Sequence, residues 1–285
     1  MKVLITGGGG FIGFHLARHL HFLGHNVVVL DNFVRGVSDK ELKDFLSKKN
    51  VTLVNADCLK LDTFQALPND FDYVFHLAAI IGVEHVNSAP YRVLVENIIM
   101  LDNVIKFCRS QKNLKRLLFP STSEVYAGTL ENFEIQLPTP ETTPLALTDL
   151  RRARTSYMLS KISGEFMCNF SSLPVTIFRP HNVYGPRMGL VHVIPGQLKK
   201  AHFANEGSSI DVPSASQTRT FMYVDDAVRM LQQFMSSPGC EGKTLNLGSA
   251  SSEISIHDVV KVCHDVVGKR LQINSLPNAE GSPSR

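Results

Sequence analysis

Val3-Leu4-Ile5-Thr6-Gly7-Gly8-Gly9-Gly10-Phe11-Ile12-Gly13 decides the fold. The apolar run 3–6 predicts a buried strand, and Phe11, Ile12, Leu16, Leu20 and Leu23 recur on one helical face behind it. Glycines between a strand and a helix let backbone N–H groups approach a pyrophosphate, and the helix N-terminus adds partial positive charge. Gly7, Gly10 and Gly13 are spaced GxxGxxG rather than the commoner GxGxxG. A glycine run alone is equally explained by a tight turn that binds nothing, so the flanking sequence has to arbitrate.

Working outward, further apolar runs at 27–30, 51–54, 73–77 and 117–119 predict strands, separated by helical patterns near Leu42, Phe45 and Leu46 and over 93–107. Such alternation implies an α/β fold, a Rossmann-type doubly wound parallel sheet with helices on both faces. Pro138, Pro140 and Pro144 mark 128–148 as a surface loop. Helical periodicity returns over 156–170, a strand follows at 175–178, and 185–216 is mixed and loop-rich. A helix over 224–235 and a strand at 244–247 come next, then a helix start at Ser255 with Asp258 three residues on. The expected division is a dinucleotide-binding domain of 1–180 plus about 217–250. A smaller, partly α C-terminal lobe for the substrate would take 181–216 and 251–285.

Composition narrows the function. Hydrophobic residues at 44% and charged residues at 19% of 285 are enough to fill a sizeable core. A net charge of +3 is too mild to make nucleic acid the expected partner. Eleven histidines show no ligand-like spacing, so no metal site is expected. Cys58, Cys108, Cys168, Cys240 and Cys263 are far apart and form no CxxC, as expected of reduced thiols in a cytoplasmic protein. The glycine-crossed apolar start is too short to span a bilayer, so neither a signal peptide nor a membrane partner is expected.

Asp31 ends the second strand, where a carboxylate can accept hydrogen bonds from both adenosine ribose hydroxyls. The same charge repels a 2′-phosphate, which favours NAD over NADP; Arg35 nearby weakens that preference slightly. Asp57, after the third strand, is either a receiver for the adenine amino group or a solvated loop carboxylate. Tyr157 and Lys161 stand at i and i+4, on one face of a helix. A phenol has an ordinary pKa of about 10, and a neighbouring ammonium and a cationic nicotinamide are both expected to lower it. Such a tyrosine can take a hydroxyl proton while hydride leaves the same carbon. Ser121-Thr122-Ser123-Glu124 follows the fifth strand, at the sheet end where open α/β folds bind ligands. Its hydroxyls can hold the reacting oxygen. Glu124 is either a general base at a second carbon or a capping loop carboxylate.

TGGGGFIG at 6–13, HLAA at 76–79, STSEVY at 121–126, Tyr157-Met-Leu-Ser-Lys161 and Arg179-Pro-His-Asn-Val-Tyr-Gly-Pro-Arg187 occur in this order. Together, over 1–250, they closely resemble the extended short-chain dehydrogenase/reductase family, the NAD-dependent nucleotide-sugar epimerases and dehydratases. The resemblance implies a catalytic set of Tyr157 as base, Lys161 as its electrostatic partner, Thr122 on the substrate oxygen, and Ser123 and Glu124 beside it. It implies a cofactor-binding set of Gly7, Gly10, Phe11, Ile12, Gly13, Asp31, Asn32, Asp57, Cys58, Leu77, Ala78, Ala79 and Asn97, with Tyr157 and Lys161. Asn182 would contact the nucleotide sugar, Arg219 would pair with its diphosphate, and Arg187 is a weaker phosphate candidate.

Two departures stand out. Ala127 separates Tyr126 from Gly128 where most relatives have Tyr-Gly, so a displaced loop is expected there. Relatives also usually continue further, so the lobe is expected to be incomplete or small. Members share oxidation of the sugar, usually at C4, with the reduced cofactor held in place. The triplet Thr122-Ser123-Glu124 is similar to that of UDP-glucuronate decarboxylases and GDP-mannose dehydratases. The expected order is an epimerase on a UDP- or related sugar first, a decarboxylase second and a 4,6-dehydratase third. A catalytically inactive dinucleotide-binding scaffold is the alternative of another class. The resemblance further implies a homodimer through the helices 93–107 and 156–170.

Overall fold

The computed structural model describes residues 1–277. Its strands are β1 (Lys2–Thr6), β2 (Asn26–Asp31), β3 (Val51–Asn55), β4 (Tyr73–His76), β5 (Arg116–Pro120), β6 (Val175–Pro180), β7 (Asn182–Tyr184), β8 (Ser209–Pro213), β9 (Thr218–Arg219), β10 (Phe221–Tyr223), β11 (Thr244–Leu247), β12 (Ile254–Ser255) and β13 (Gln272–Leu276). Its α-helices are α1 (Phe11–Phe22), α2 (Lys40–Leu46), α3 (Leu61–Gln65), α4 (Val83–Ser88), α5 (Pro90–Arg109), α6 (Ala127–Asn132), α7 (Thr155–Asn169), α8 (Val193–Phe203), α9 (Val224–Ser236) and α10 (Ile256–Val267).

The chain forms two units. The first comprises 1–181 and 224–247. Its sheet has seven parallel strands in the order β11-β6-β5-β4-β1-β2-β3. The central strands are buried on both faces, which is why they read as unbroken apolar runs: Val3, Leu4 and Ile5 are fully buried. On one face, Leu4, Val74, Leu117 and Ile177 pack with Phe64 of α3, Leu101 and Val104 of α5 and Cys168 of α7. Elsewhere in this unit α1 packs against α9. Arg116 of β5 fixes the end of α9, donating to the carbonyls of Phe234 (2.7 Å) and Ser237 (2.8 Å).

Three features of one helical face seat α7 on the sheet. Gly164 lies so close that a Cβ there would stand 2.3 Å from Phe119 Cζ. Lys161 Nζ donates to Pro120 O at 2.8 Å, at the end of β5. Glu165 and Arg179 of β6 form a buried two-pronged ion pair at 2.8 and 2.7 Å. Arg179 also donates to the Tyr126 hydroxyl (2.7 Å) and Glu141 O (3.0 Å), and Tyr126 donates to Asn246 Oδ1 (3.0 Å).

Among the described residues the second unit comprises 182–223 and 248–277. It has three two-stranded sheets, β7–β10 and β8–β13 parallel and β9–β12 antiparallel, with Ile210, Val212, Ala215 and Val260 as its buried core. The Ser255 hydroxyl accepts from Asp258 N at 3.0 Å and caps α10, as its sequence position suggests. Residues 217–223, expected in the first domain, belong here, because β9 and β10 pair with β12 and β7. The last residues assigned to the lobe, 278–285, lie outside the described residues.

Two expected loops contain structure. α6 continues the turn of 123–126 directly through Ala127, and the proline-rich segment folds back on it. A Cβ on Gly128 would stand 2.0 Å from Ala146 O, and Thr129 Oγ1 donates to Pro144 O at 2.6 Å. The stretch 185–216 holds α8 and β8. Among the described residues no helix is long and apolar enough to cross a membrane.

Gly164→Ala tests how α7 is seated. The exchange favours the helix by roughly 0.5–1 kcal/mol, whereas forcing a methyl into a packed core costs about 1–3 kcal/mol. Phe119 is itself buried and cannot swing away, so net destabilisation is expected. It will be read as a lower urea midpoint at unchanged slope; a variant as stable as the parent contradicts the close seating.

Candidate active site

The glycine turn is held from both sides by backbone. Gly7 has φ +69°, and a Cβ on it would stand 2.7 Å from Ala78 N; a Cβ on Gly13 would stand 2.2 Å from Gly7 O. Side chains are thus excluded where β1, the end of β4 and α1 converge. No side chain caps α1, whose first turn holds Phe11 and Ile12, so its opening N–H groups are left for another acceptor. A cradle of this kind fits a dinucleotide pyrophosphate. Leu77, Ala78 and Ala79 follow β4, with Leu77 N donating to Thr6 O (3.0 Å) and Ala78 N to Thr6 Oγ1 (3.3 Å). Asp31 is buried and oriented: Oδ2 accepts from Gly9 N (2.9 Å) and Oδ1 from Phe33 N (2.8 Å). Asn32 accepts from Val34 N, and Asp57 from Leu59 N. The Cys58 thiol is buried in the core, which pushes its pKa up to about 12. Asn97 on α5 ties the loop after β4 to α7. It accepts from Ile80 N (2.8 Å) and donates to Ile80 O (3.1 Å) and Ser160 Oγ (3.3 Å).

On the same unit, α7 presents Tyr157. Its phenol is hydrogen-bonded to Thr122, with the Glu124 carboxylate and the Arg35 guanidinium in electrostatic reach. Lys161 Nζ lies 5.7 Å from the Tyr157 ring centre. Thr122 Oγ1 also accepts from Glu124 N at 3.2 Å, shaping the turn on which half-buried Ser123 and Glu124 sit. The structure therefore brings together Tyr157, Lys161, Thr122 and Glu124. Asn182, Arg187 and Arg219 are all carried by the second unit. Asn182 Nδ2 donates to Thr220 O (3.0 Å), Arg187 has φ +69°, and Arg219 donates to Thr218 O (2.7 Å) and Gln217 Oε1 (3.0 Å). Among the described residues no group of three or more His, Cys, Asp or Glu side chains is placed to hold a metal.

A model of the NAD-dependent epimerase/dehydratase family matches residues 3–248. The chain belongs to this family. It is an extended short-chain dehydrogenase/reductase enzyme whose cofactor is NAD. A UDP-N-acetyl-α-D-glucosaminuronate decarboxylase of Bacillus cytotoxicus is 34% identical over 97% of this chain and 83% of its own. An uncharacterised UDP-glucose epimerase of Bacillus subtilis is 30% identical over the whole chain and 88% of its own. Among solved structures, a UDP-glucose 4-epimerase with UDP-glucose from Thermotoga maritima is 26% identical, with a TM-score of 0.81 over 100% of this chain and 88% of that one.

Within this epimerase/dehydratase frame, the electrostatics differ from the sequence expectation in one respect. The Tyr157 phenol is raised, not lowered. Burial raises the phenol well above its ordinary value, the Glu124 carboxylate raises it further, and Arg35 and the Thr122 hydrogen bond only partly oppose them. The Lys161 ammonium is engaged by Pro120 O, and burial pulls Lys161 down to about 8. Glu124 is raised by burial, against the pull of Arg154, whose guanidinium lies 3.7 Å away. The sequence reading missed Arg154 and the Glu165–Arg179 pair. Glu165 falls eight residues after Tyr157 and four after Lys161, so a carboxylate on that buried face was the signal that a cation must meet it.

Glu124→Gln removes a charge that raises Tyr157, so the phenol pKa should fall. Tyrosinate absorbance followed against pH, minus the same trace for Tyr157→Phe, should show ionisation beginning at lower pH than in the parent. An unmoved or upward-moved titration means the carboxylate does not act on the phenol.

Proposed function

We propose that this enzyme oxidises a secondary alcohol of a UDP-sugar and, acting on a uronic acid, releases carbon dioxide. The observation that carries this reading is Glu124, a half-buried carboxyl whose pKa burial raises, in electrostatic reach of the Tyr157 phenol. Bare epimerisation needs no second acid beside the phenol. Loss of carbon dioxide from a uronate leaves a carbon that must take up a proton, and a carboxyl whose pKa burial raises is suited to hold one. The decarboxylase at 34% identity and the decarboxylase-like Thr122-Ser123-Glu124 triplet support the same choice.

NAD, when bound, accepts the hydride. Gly7, Gly10, Phe11, Ile12, Gly13 and the end of β4 would hold its pyrophosphate, Asp31 and Asn32 its adenosine ribose, and Asp57 and Cys58 its adenine. Tyr157 takes the hydroxyl proton, and Lys161 and Asn97 keep α7 and the loop after β4 in register. Once C4 is a ketone, the electron pair of the breaking bond between C5 and the carboxyl moves toward the ketone oxygen. Tyr157, now protonated, and Thr122 then face that oxygen as donors, the arrangement that stabilises developing negative charge. Glu124, with Ser123 beside it, would return a proton to C5, and Tyr157 would give its proton to the C4 oxygen as the hydride goes back to C4, so that the cofactor ends as it began. On the second unit Asn182, Arg187 and Arg219 would take the nucleotide, with arginine forks on the diphosphate.

The second reading is an epimerase, favoured by the Bacillus subtilis and Thermotoga maritima relatives. Exposed apolar side chains, Tyr91 and Ile99 on α5 and Phe166 and Phe170 at the end of α7, support a homodimer, which light scattering will test.

The deciding experiment incubates the purified enzyme with UDP-glucuronate, UDP-N-acetylglucosaminuronate, UDP-glucose and UDP-N-acetylglucosamine. Carbon dioxide from a uronate is the expected outcome; an isomeric nucleotide sugar without it makes the enzyme an epimerase, and a stable keto product a dehydratase. Tyr157→Phe should lower turnover by roughly 10²–10⁴-fold, the usual worth of a positioned base, while NAD binding stays near that of the parent. Full activity in that variant refutes the assignment. Glu124→Gln should slow decarboxylation strongly; unchanged decarboxylation removes Glu124 from the mechanism.

A further inference from the structure

The loop after β2 folds back over the glycine turn. Asp31 Oδ1 accepts from Phe33 N at 2.8 Å, and Phe33 takes a left-handed φ of +55°. A Cβ on Gly9 would stand 2.8 Å from Phe33 Cε1, and one on Gly36 would stand 3.2 Å from Gly9 O. Residues 33 and 36 therefore both abut Gly9, and Arg35 is rooted between them. Its side chain ends well away from its root: Arg35 Nη2 lies 3.8 Å from where a Gly82 Cβ would be, in the loop after β4. Because β2, β1 and β4 are successive strands of the sheet, an arginine that starts after β2 and ends after β4 crosses the C-terminal end of β1. That end carries the glycine turn and the uncapped start of α1.

We propose that Arg35 is a latch across the dinucleotide groove, pairing its guanidinium with the pyrophosphate of NAD on the side opposite the glycine turn. Backbone N–H groups and an arginine fork then hold the anion between them. Among the described residues the guanidinium has no hydrogen-bond or ion-pair partner. The side chain is exposed, and its charge acts on Tyr157, which puts the guanidinium on the side of the loop that faces the phenol. An exposed guanidinium fork without a counter-charge is open to an incoming anion. The position also separates pyrophosphate from a 2′-phosphate. The adenosine ribose falls to Asp31 at the end of β2, whereas the guanidinium reaches the β4 side of the turn.

The test is calorimetric titration of the full chain, freed of nucleotide, with NAD, ADP, adenosine and NADP, comparing the parent with Arg35→Ala and Arg35→Lys. A charge-assisted hydrogen bond contributes about 1.5–3 kcal/mol, so Arg35→Ala should weaken NAD and ADP by roughly 10- to 100-fold. Adenosine should bind as to the parent, and Arg35→Lys should recover part of the loss. Loss confined to NADP makes Arg35 a reader of the 2′-phosphate and overturns the proposal. Equal weakening of adenosine and ADP makes it a loop scaffold, and unchanged NAD and ADP affinity removes the latch; both also overturn it. Because the readout is binding without a sugar substrate, its failure leaves the decarboxylation reading untouched.

Discussion

The working geometry of this protein depends on how α7 lies on the sheet. Tyr157, Lys161, Gly164, Glu165 and Cys168 form a single stripe, and four of them meet the protein interior through different physics. Gly164 permits near backbone-distance approach to Phe119, Lys161 reaches the last carbonyl of β5, Glu165 binds Arg179 of β6, and Cys168 joins the apolar core. Together these contacts limit approach, sliding along the axis and rotation about it. A helix constrained in all three holds its remaining stripe residue, the Tyr157 phenol, at one place above the sheet edge. The Glu165–Arg179 pair is weak as a source of net stability, since desolvating two charges offsets most of their attraction. Its value is orientational, because removing either partner leaves the other buried and unpaired.

The same burial that fixes the phenol also keeps it protonated. Desolvation and Glu124 outweigh Arg35 and Thr122, so the protein alone does not make Tyr157 a base. Proton affinity and ligand binding are linked: any bound positive charge that favours the phenolate must itself bind more tightly to the deprotonated enzyme. Basicity at Tyr157 is thereby tied to occupancy of the groove, and a phenol that ionises only in the loaded cleft is not wasted on solvent.

Much of the fold was legible because parallel strands buried on both faces leave unbroken apolar runs. β1, β2, β4 and β5 fall on such runs, β3, β6 and β11 on the other expected strand positions, and α5, α7, α9 and α10 on the expected helical patterns. What escaped was short or depended on distant partners. α6 has six residues, too few to establish a period, and owes its place to Gly128 packing under Ala146. β8 is a strand because β13 pairs with it some sixty residues later. Residues 217–223 follow the second unit for the same reason: their partners β12 and β7 are remote in sequence. In the site, residue types and spacings identified Tyr157, Lys161, Thr122 and Glu124, which do converge. Protonation was not legible, because it depends on burial and on which group claims the ammonium.

That last point changes what Lys161 is for. Its ammonium is held by Pro120 O at 2.8 Å and drawn down to about 8 by burial. Its hydrogen bond joins α7 to the end of β5 just before the Ser121–Glu124 turn. Asn97, through Ser160 and Ile80, joins the adjacent helical position to the loop after β4. Two neighbouring residues of α7 thus anchor the two strand ends between which reacting groups must meet. Lysine suits this position better than arginine: a compact ammonium with rotatable donors can hold one carbonyl and still turn a donor toward a ligand. The i, i+4 pair of Tyr157 and Lys161 is then as much a ruler as an electrostatic device, setting the distance from the phenol to the sheet edge.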